Sequence, residues 1–140
     1  MTGLATLPAD RPIPVLAKAR LVGEIVATYV VVRVVLRRRG LRGALIRLRD
    51  APVTCDRSPV TPAKRLGRVV TRTLEPLPAD TRCLMRSLVL TRVLARRGID
   101  TRLVIGVHPG ERFAAHAWVE HDGAALLPTG GSDFDELVTL

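Results

Sequence analysis

Residues 80–98 read DTRCLMRSLVLTRVLARRG. Asp80 stands where a helix N-cap is expected, and Gly98 is a typical residue to follow a helix that runs over 81–97. Apolar side chains occupy nearly every face of this segment, so little of its surface is polar. The pattern predicts a central, buried helix.

Extended patterns follow directly after Gly98. Strands are predicted over 102–107, 113–120 and 124–127, with a turn at 108–110 between the first two. The pair Asp122-Gly123 predicts a tight two-residue hairpin turn before the third strand. The fold class expected is therefore α+β, with the long helix packed on a small antiparallel sheet.

The N-terminal half is predicted to be helical. Residues 1–14 contain three prolines and are expected to be an irregular arm, after which a helix runs over 15–39 and ends at Gly40. A second helix is predicted over 41–49, a proline-rich linker over 51–62 that contains Cys55, and a third helix over 63–74. We expect an N-terminal helical region at 1–62 and a core at 63–140, which together form one compact unit of a size usual for a single domain.

Composition narrows the classes of function. The formal charge of +9 comes almost entirely from arginine, which favours acidic partners, but GC-rich coding is the preferred explanation for it. Aromatic residues are too few and too scattered for base stacking, so no nucleic-acid partner is expected.

The apolar run at residues 25–32 lies between Glu24 and Arg33 and is too short to cross a membrane. Peripheral membrane contact is an alternative to ordinary packing, and packing is favoured. A strand over the same run is a second alternative to the predicted helix, because the run is rich in β-branched residues.

Two cysteines without a signal sequence indicate a reducing, cytoplasmic location without a structural disulfide. The histidines at 108, 116 and 121 lack the spacing of a metal motif, so no metal or cofactor is expected.

Cys83 lies in the first turn predicted for the central helix. Unpaired backbone N–H groups and the positive end of the helix dipole favour its thiolate form, as does the neighbouring Arg82. A lone cysteine in an apolar helix is more often an inert packing residue. Cys55, in the proline-rich linker, is interpreted as a bystander.

His116 is the candidate base for Cys83. Its predicted strand would pack against the helix, and this arrangement is workable for acyl transfer. Strand alternation places His116, Trp118 and Glu120 on one face. Trp118 and Glu120 either line the substrate cleft or serve packing and solvation.

The ordered set CLMRSLVL at 83–90, RGI at 97–99, LVIGV at 103–107 and AHAWVE at 115–120 followed by Asp122-Gly123 resembles the lasso-peptide biosynthesis B2 proteins. The close resemblance covers residues from about 80 to 127. It implies a transglutaminase-like (papain-like) core and the activity of a leader peptidase. Cys83 would attack the amide that joins leader to core, and His116 would activate the thiol and protonate the leaving amine.

The resemblance also implies partners. These are a lasso precursor peptide, a separate leader-binding protein of the B1 type, and a separate ATP-dependent cyclase that receives the freed core. Acyl transfer to an amine would use the same thioester, so hydrolysis is not the only outcome allowed. A non-enzymatic alternative is a degenerate transglutaminase-like module that binds a peptide or partner protein.

The third member of the triad is where the chain departs from the pattern of this family. An aspartate is often found about a dozen residues after the histidine, where this chain has Leu127-Pro128-Thr129. The predicted hairpin places Thr129 opposite His116, and Asp133 or Asp135 could reach back from the loop that follows. Asp133 is ranked first, Thr129 second, and no side chain third. Asp122 ranks lower because it lies at the tip of the turn.

Overall fold

The computed structural model describes residues 14–50, 63–77, 82–108, 114–127 and 135–139. Several predictions lie outside the described residues: the arm, the linker with Cys55, the cap Asp80, and the candidates Thr129 and Asp133. The elements that are described are three helices and four strands.

Helix α1, Val15–Arg49, contains a kink at Gly40, whose φ of 68° is not helical. Glycine adopts a positive φ without the steric cost that a Cβ imposes. The kink separates the two helices that the sequence predicts on either side of residue 40, so this prediction is confirmed. Residues 25–32 are helical, with Ile25 and Val32 fully buried and Val30 exposed on the opposite face.

Helix α2 is Ala63–Leu74, and these bounds are the ones that the sequence predicts. Helix α3 is Arg82–Ala95. Turns continue from the end of α3 to Gly98, which has a φ of 71°. Helix α3 packs against both other helices and against the sheet. The fully buried side chains of α3 are those of Ser87, Leu88, Val89, Leu90, Val93 and Leu94. It is thus the central helix that its sequence predicts.

Four antiparallel strands form one sheet in the order β3-β2-β1-β4. Their bounds are Arg102–His108 for β1, Ala114–His121 for β2, Ala124–Ala125 for β3 and Asp135–Thr139 for β4. The hairpin turn between β2 and β3 is at Asp122 and Gly123, both with positive φ, as a type I′ turn requires. Strand β4 is absent from the sequence prediction.

Glu24 connects α1 to the end of α3. Its carboxylate accepts hydrogen bonds of 3.0 and 2.8 Å from Arg97, and it also pairs with Arg96 at 3.5 Å. Arg92, one turn earlier, has its pKa lowered by burial and then by the charges of Arg96 and Arg47. The single acidic residue of α1 therefore neutralises part of a crowded arginine cluster.

Buried side chains from all three helices and from β1 and β2 form one hydrophobic core. This α+β arrangement confirms the fold class expected from the sequence. The boundary predicted at residue 62 stays a prediction. None of the described helices contains a stretch long and apolar enough to cross a membrane.

Candidate functional site

Cys83 is the second residue of α3 and is a half-buried free thiol. The first four backbone N–H groups of a helix have no partner within the helix, so the turn that contains Cys83 presents unpaired donors. The carbonyl of Cys83 accepts a hydrogen bond of 2.8 Å from the hydroxyl of Ser87. This position combines a half-buried cysteine with the positive end of the helix dipole.

His116 is in β2, the strand against which α3 packs most extensively. Its neighbour on β1 is Gly106, which is buried and directly opposite in the antiparallel register. Because Gly106 has no side chain, β1 places none directly opposite the imidazole. The fold thus brings the strand of His116 against the helix of Cys83, as the sequence predicts for the two elements.

Trp118 lies next to His116 on the same face of β2. Its ring stacks with the imidazole at a centroid distance of 6.1 Å and an interplanar angle of 25°. The indole nitrogen of Trp118 donates a hydrogen bond of 3.0 Å to the carboxylate of Glu120. Three side chains on one strand face therefore form a connected set, with the buried Trp118 between His116 and Glu120.

Two aspartates that were considered as the third member of the triad, Asp122 and Asp135, lie among the described residues. Asp122 is largely exposed and pairs with His121 at 3.2 Å, and His121 in turn contacts the carbonyl of Asp100 at 2.8 Å. Asp122 therefore pairs with His121 at the tip of the hairpin, and its low rank as a third member stays a prediction. The backbone of Asp135 pairs with Val107.

Glu136 occupies a position that the sequence interpretation missed. Gly106 pairs with His116 on one side and with Glu136 of β4 on the other, so the three residues form one row across the sheet. Two strand spacings, about 10 Å, separate the backbones of the outer pair. The β-branched pair Val138 and Thr139 is the sequence signal for β4, and it is too short to be distinctive.

The described residues provide neither a metal site nor, in the surface depression near α1, an alternative site for acyl transfer. Among the described residues, no group of three potential metal ligands comes together. A depression of about 510 Å³ is lined by Leu16, Glu24, Arg97 and neighbouring residues. It lies at the far end of α3, roughly 18 Å from Cys83 at the rise of an α-helix, and it contains no nucleophile.

Comparison with known proteins supplies the family. No curated protein and no solved structure matches the chain. A family model described as the transglutaminase-like superfamily matches residues 26–139. The match includes α3 with Cys83, β2 with His116 and β4, and it covers most of α1. The chain therefore belongs to the transglutaminase-like superfamily.

Proposed function

We propose that the protein is a cysteine peptidase that removes the leader from a lasso precursor peptide. The observation that carries the proposal is the position of Cys83 in the first turn of α3, the helix that packs on the strand of His116. Membership of the transglutaminase-like superfamily supports cysteine-peptidase chemistry in general. The ordered resemblance from residue 83 to residue 123 supports the specific substrate.

The reaction follows from the groups present. The Cys83 thiolate attacks the carbonyl carbon of the last leader residue, and the backbone N–H groups of the first turn of α3 stabilise the oxyanion. His116 takes the thiol proton and gives it to the leaving amine of the core, so the C–N bond breaks and a thioester remains. Water then attacks the thioester, which releases the leader carboxylate and restores the thiol.

The test is to incubate the reduced protein and a leader-binding protein with a precursor peptide in H₂¹⁸O. Hydrolysis gives a leader fragment with one ¹⁸O in its new carboxylate and a core with a free amino terminus, both measured by mass spectrometry. A leader joined to an added amine would instead show acyl transfer. Intact precursor in all conditions would contradict the proposal and favour a module that only binds its peptide.

Paired substitutions distinguish the candidates for the third member of the triad. Asp133 is the first-ranked candidate, and the pairing of β4 with β1 makes Glu136 a further one. The variants Asp133→Asn and Glu136→Gln are therefore compared with Thr129→Val. Loss of a carboxylate that orients the histidine lowers kcat by roughly 10²–10⁴-fold, and we expect this for one of the two acidic residues. Steady-state cleavage rates provide the measurement. Full activity in all three variants would show that the ring is oriented without a side chain from these positions.

The outward face of α1 supports a separate leader-binding partner. Val26, Val30 and Val34 recur every four residues on this face and are 40–54% exposed. Glu24, the only acidic residue of the helix, is occupied by Arg96 and Arg97, so the arginines beside the valines lack an acidic neighbour on the helix. An apolar ridge with basic neighbours fits an acidic, apolar groove on a partner protein.

Val30→Asp is expected to weaken binding of the leader-binding protein by more than about tenfold, because it places an unpaired carboxylate in the ridge. Ile46→Asp is the matched control, since Ile46 is 60% exposed on the same helix, close to the 54% of Val30, but lies beyond the kink at Gly40. Isothermal titration calorimetry measures both affinities. Equal affinity for the wild type and Val30→Asp, or binding of this face to anionic vesicles instead, would contradict the proposed partner.

A further inference from the structure

We propose that Trp118 and Glu120 are positioning residues that hold the ring of His116 for its reaction with Cys83. The inference rests on the proposed function for the identity of that reaction. The imidazole of His116 stacks with the indole of Trp118 at 6.1 Å, and the indole nitrogen donates a hydrogen bond of 3.0 Å to the carboxylate of Glu120. The three side chains thus form a line of contacts that ends at the candidate base.

The alternation of side chains along β2 brings this set together. His116, Trp118 and Glu120 occupy every second position of Ala114–His121, so they lie on the same face of the strand. The centroid distance and the interplanar angle of 25° between the first two rings fit an offset-stacked aromatic pair. Such pairs stabilise by more than their buried area accounts for, so the indole favours one orientation of the imidazole.

Trp118 is itself held by its neighbours. It is 7% exposed, and Val104 of β1, which is 1% exposed, lies directly opposite it. Cross-strand pairs of an aromatic and a β-branched residue stabilise a sheet. The carboxylate of Glu120 accepts from the indole N–H, which would be costly to bury without an acceptor. Because so little of Trp118 is exposed, it acts through His116 and not by contact with a peptide.

The neighbouring strand β1 has no side chain directly opposite His116, because the residue there is Gly106. A catalytic group has to be held accurately, since a displacement of about 1 Å can lower a rate roughly 10²-fold. The stack with Trp118 provides a contact from the same strand. It acts on the face of the imidazole ring, and it is therefore separate from a carboxylate that would bind a ring nitrogen at the edge.

Replacement of the indole distinguishes stacking from packing. Trp118→Leu removes the aromatic ring and should lower kcat for cleavage of the precursor roughly tenfold, the upper range of what an aromatic pair contributes. Trp118→Phe keeps a ring on which the imidazole can stack and should retain at least about half of the wild-type kcat. KM should change by less than about twofold in both variants, because a buried positioning residue does not touch the peptide.

Replacement of the carboxylate tests the second contact. Glu120→Gln keeps a carbonyl oxygen that accepts from the indole N–H, so its kcat should stay within about twofold of the wild-type value. Glu120→Ala leaves the buried N–H without this acceptor, which loosens the indole and should lower kcat by roughly three- to tenfold. A rescue by glutamine shows that the hydrogen bond is required and the negative charge is not.

Alkylation of Cys83 measures the same effect without cleavage. In a Cys55→Ser background Cys83 is the only thiol. A histidine that takes the thiol proton speeds the reaction with iodoacetamide at pH about 6, where an ordinary thiol reacts slowly. His116→Ala gives the rate without this assistance. Trp118→Leu and Glu120→Ala should lower the rate toward that of His116→Ala, whereas Trp118→Phe and Glu120→Gln should keep it near the wild-type rate.

Val119→Ala is the matched control for a general loss of stability. Val119 is fully buried on the same strand, but alternation places its side chain on the face opposite to that of His116. This substitution should lower Tm, while kcat and the alkylation rate should stay within about twofold of the wild-type values. Circular dichroism measures the folding of every variant.

Three results would overturn the inference: wild-type kcat and alkylation rate in Trp118→Leu, an equal loss in Val119→Ala, or a wild-type alkylation rate no higher than that of His116→Ala. If Trp118→Leu does not fold, Glu120→Ala and Glu120→Gln decide, and equal rates in these two would also overturn it. A precursor left intact together with the expected alkylation rates would contradict the peptidase proposal and leave the role of Trp118 supported.

Discussion

Cys83→Ala is expected to abolish leader removal while the protein remains folded. Without the sulfur atom there is no nucleophile, and removal of a catalytic nucleophile lowers kcat by roughly 10⁴-fold or more. The side chain is half-buried in the first turn of α3, so its truncation should lower the free energy of unfolding by only about 1 kcal/mol. Product formation is measured by mass spectrometry, and folding by circular dichroism.

Two variants make the result specific to the thiol. Cys83→Ser retains the volume of the side chain but is a far weaker nucleophile when paired with the same base, so it should also be inactive. Cys55→Ser removes the other cysteine and should keep the wild-type rate. Cleavage by Cys83→Ala at more than about a tenth of the wild-type rate would exclude Cys83 as the nucleophile.

The helices could be predicted because their signals are local. Glycines 40 and 98 follow helical segments, and both adopt the positive φ that explains why glycine stands there. The hairpin at Asp122-Gly123 is local in the same way. Strand β4 could not be predicted from such signals, because it pairs with β1, about thirty residues earlier in the chain. Nothing in a short segment shows which distant strand will pair with it.

The residues of the candidate site differ in the same way, since local sequence signals indicate some of them and only strand pairing indicates others. Cys83 and His116 could be named because one lies at a helix start and the other in a strand with a clear alternation. The row that joins His116, Gly106 and Glu136 depends on strand pairing, which no local pattern reveals.

Gly67→Ala is expected to destabilise the fold by about 3 kcal/mol, or about 10 °C in Tm for a chain of this size. A Cβ at Gly67 would overlap the backbone carbonyl oxygen of Leu126. Leu126 is buried, and its N–H donates to the carbonyl of Val119 in β2 at 2.8 Å. Helix α2 must therefore move away from the end of the hairpin, or the hairpin must shift together with the strand of His116.

Gly23→Ala is the control for Gly67→Ala. Both glycines are in helices, but only Gly67 lies against the backbone of another segment. A Cβ at Gly23 meets nothing, and the residue is exposed on α1. Alanine is the better helix former there and should stabilise the protein by roughly 0.5–1 kcal/mol. The same helix preference acts at Gly67, so the difference between the stability changes of the two variants measures the backbone contact. Thermal unfolding of both variants shows whether each substitution raises or lowers the stability of the protein. A stabilised Gly67→Ala would mean that α2 does not lie against Leu126.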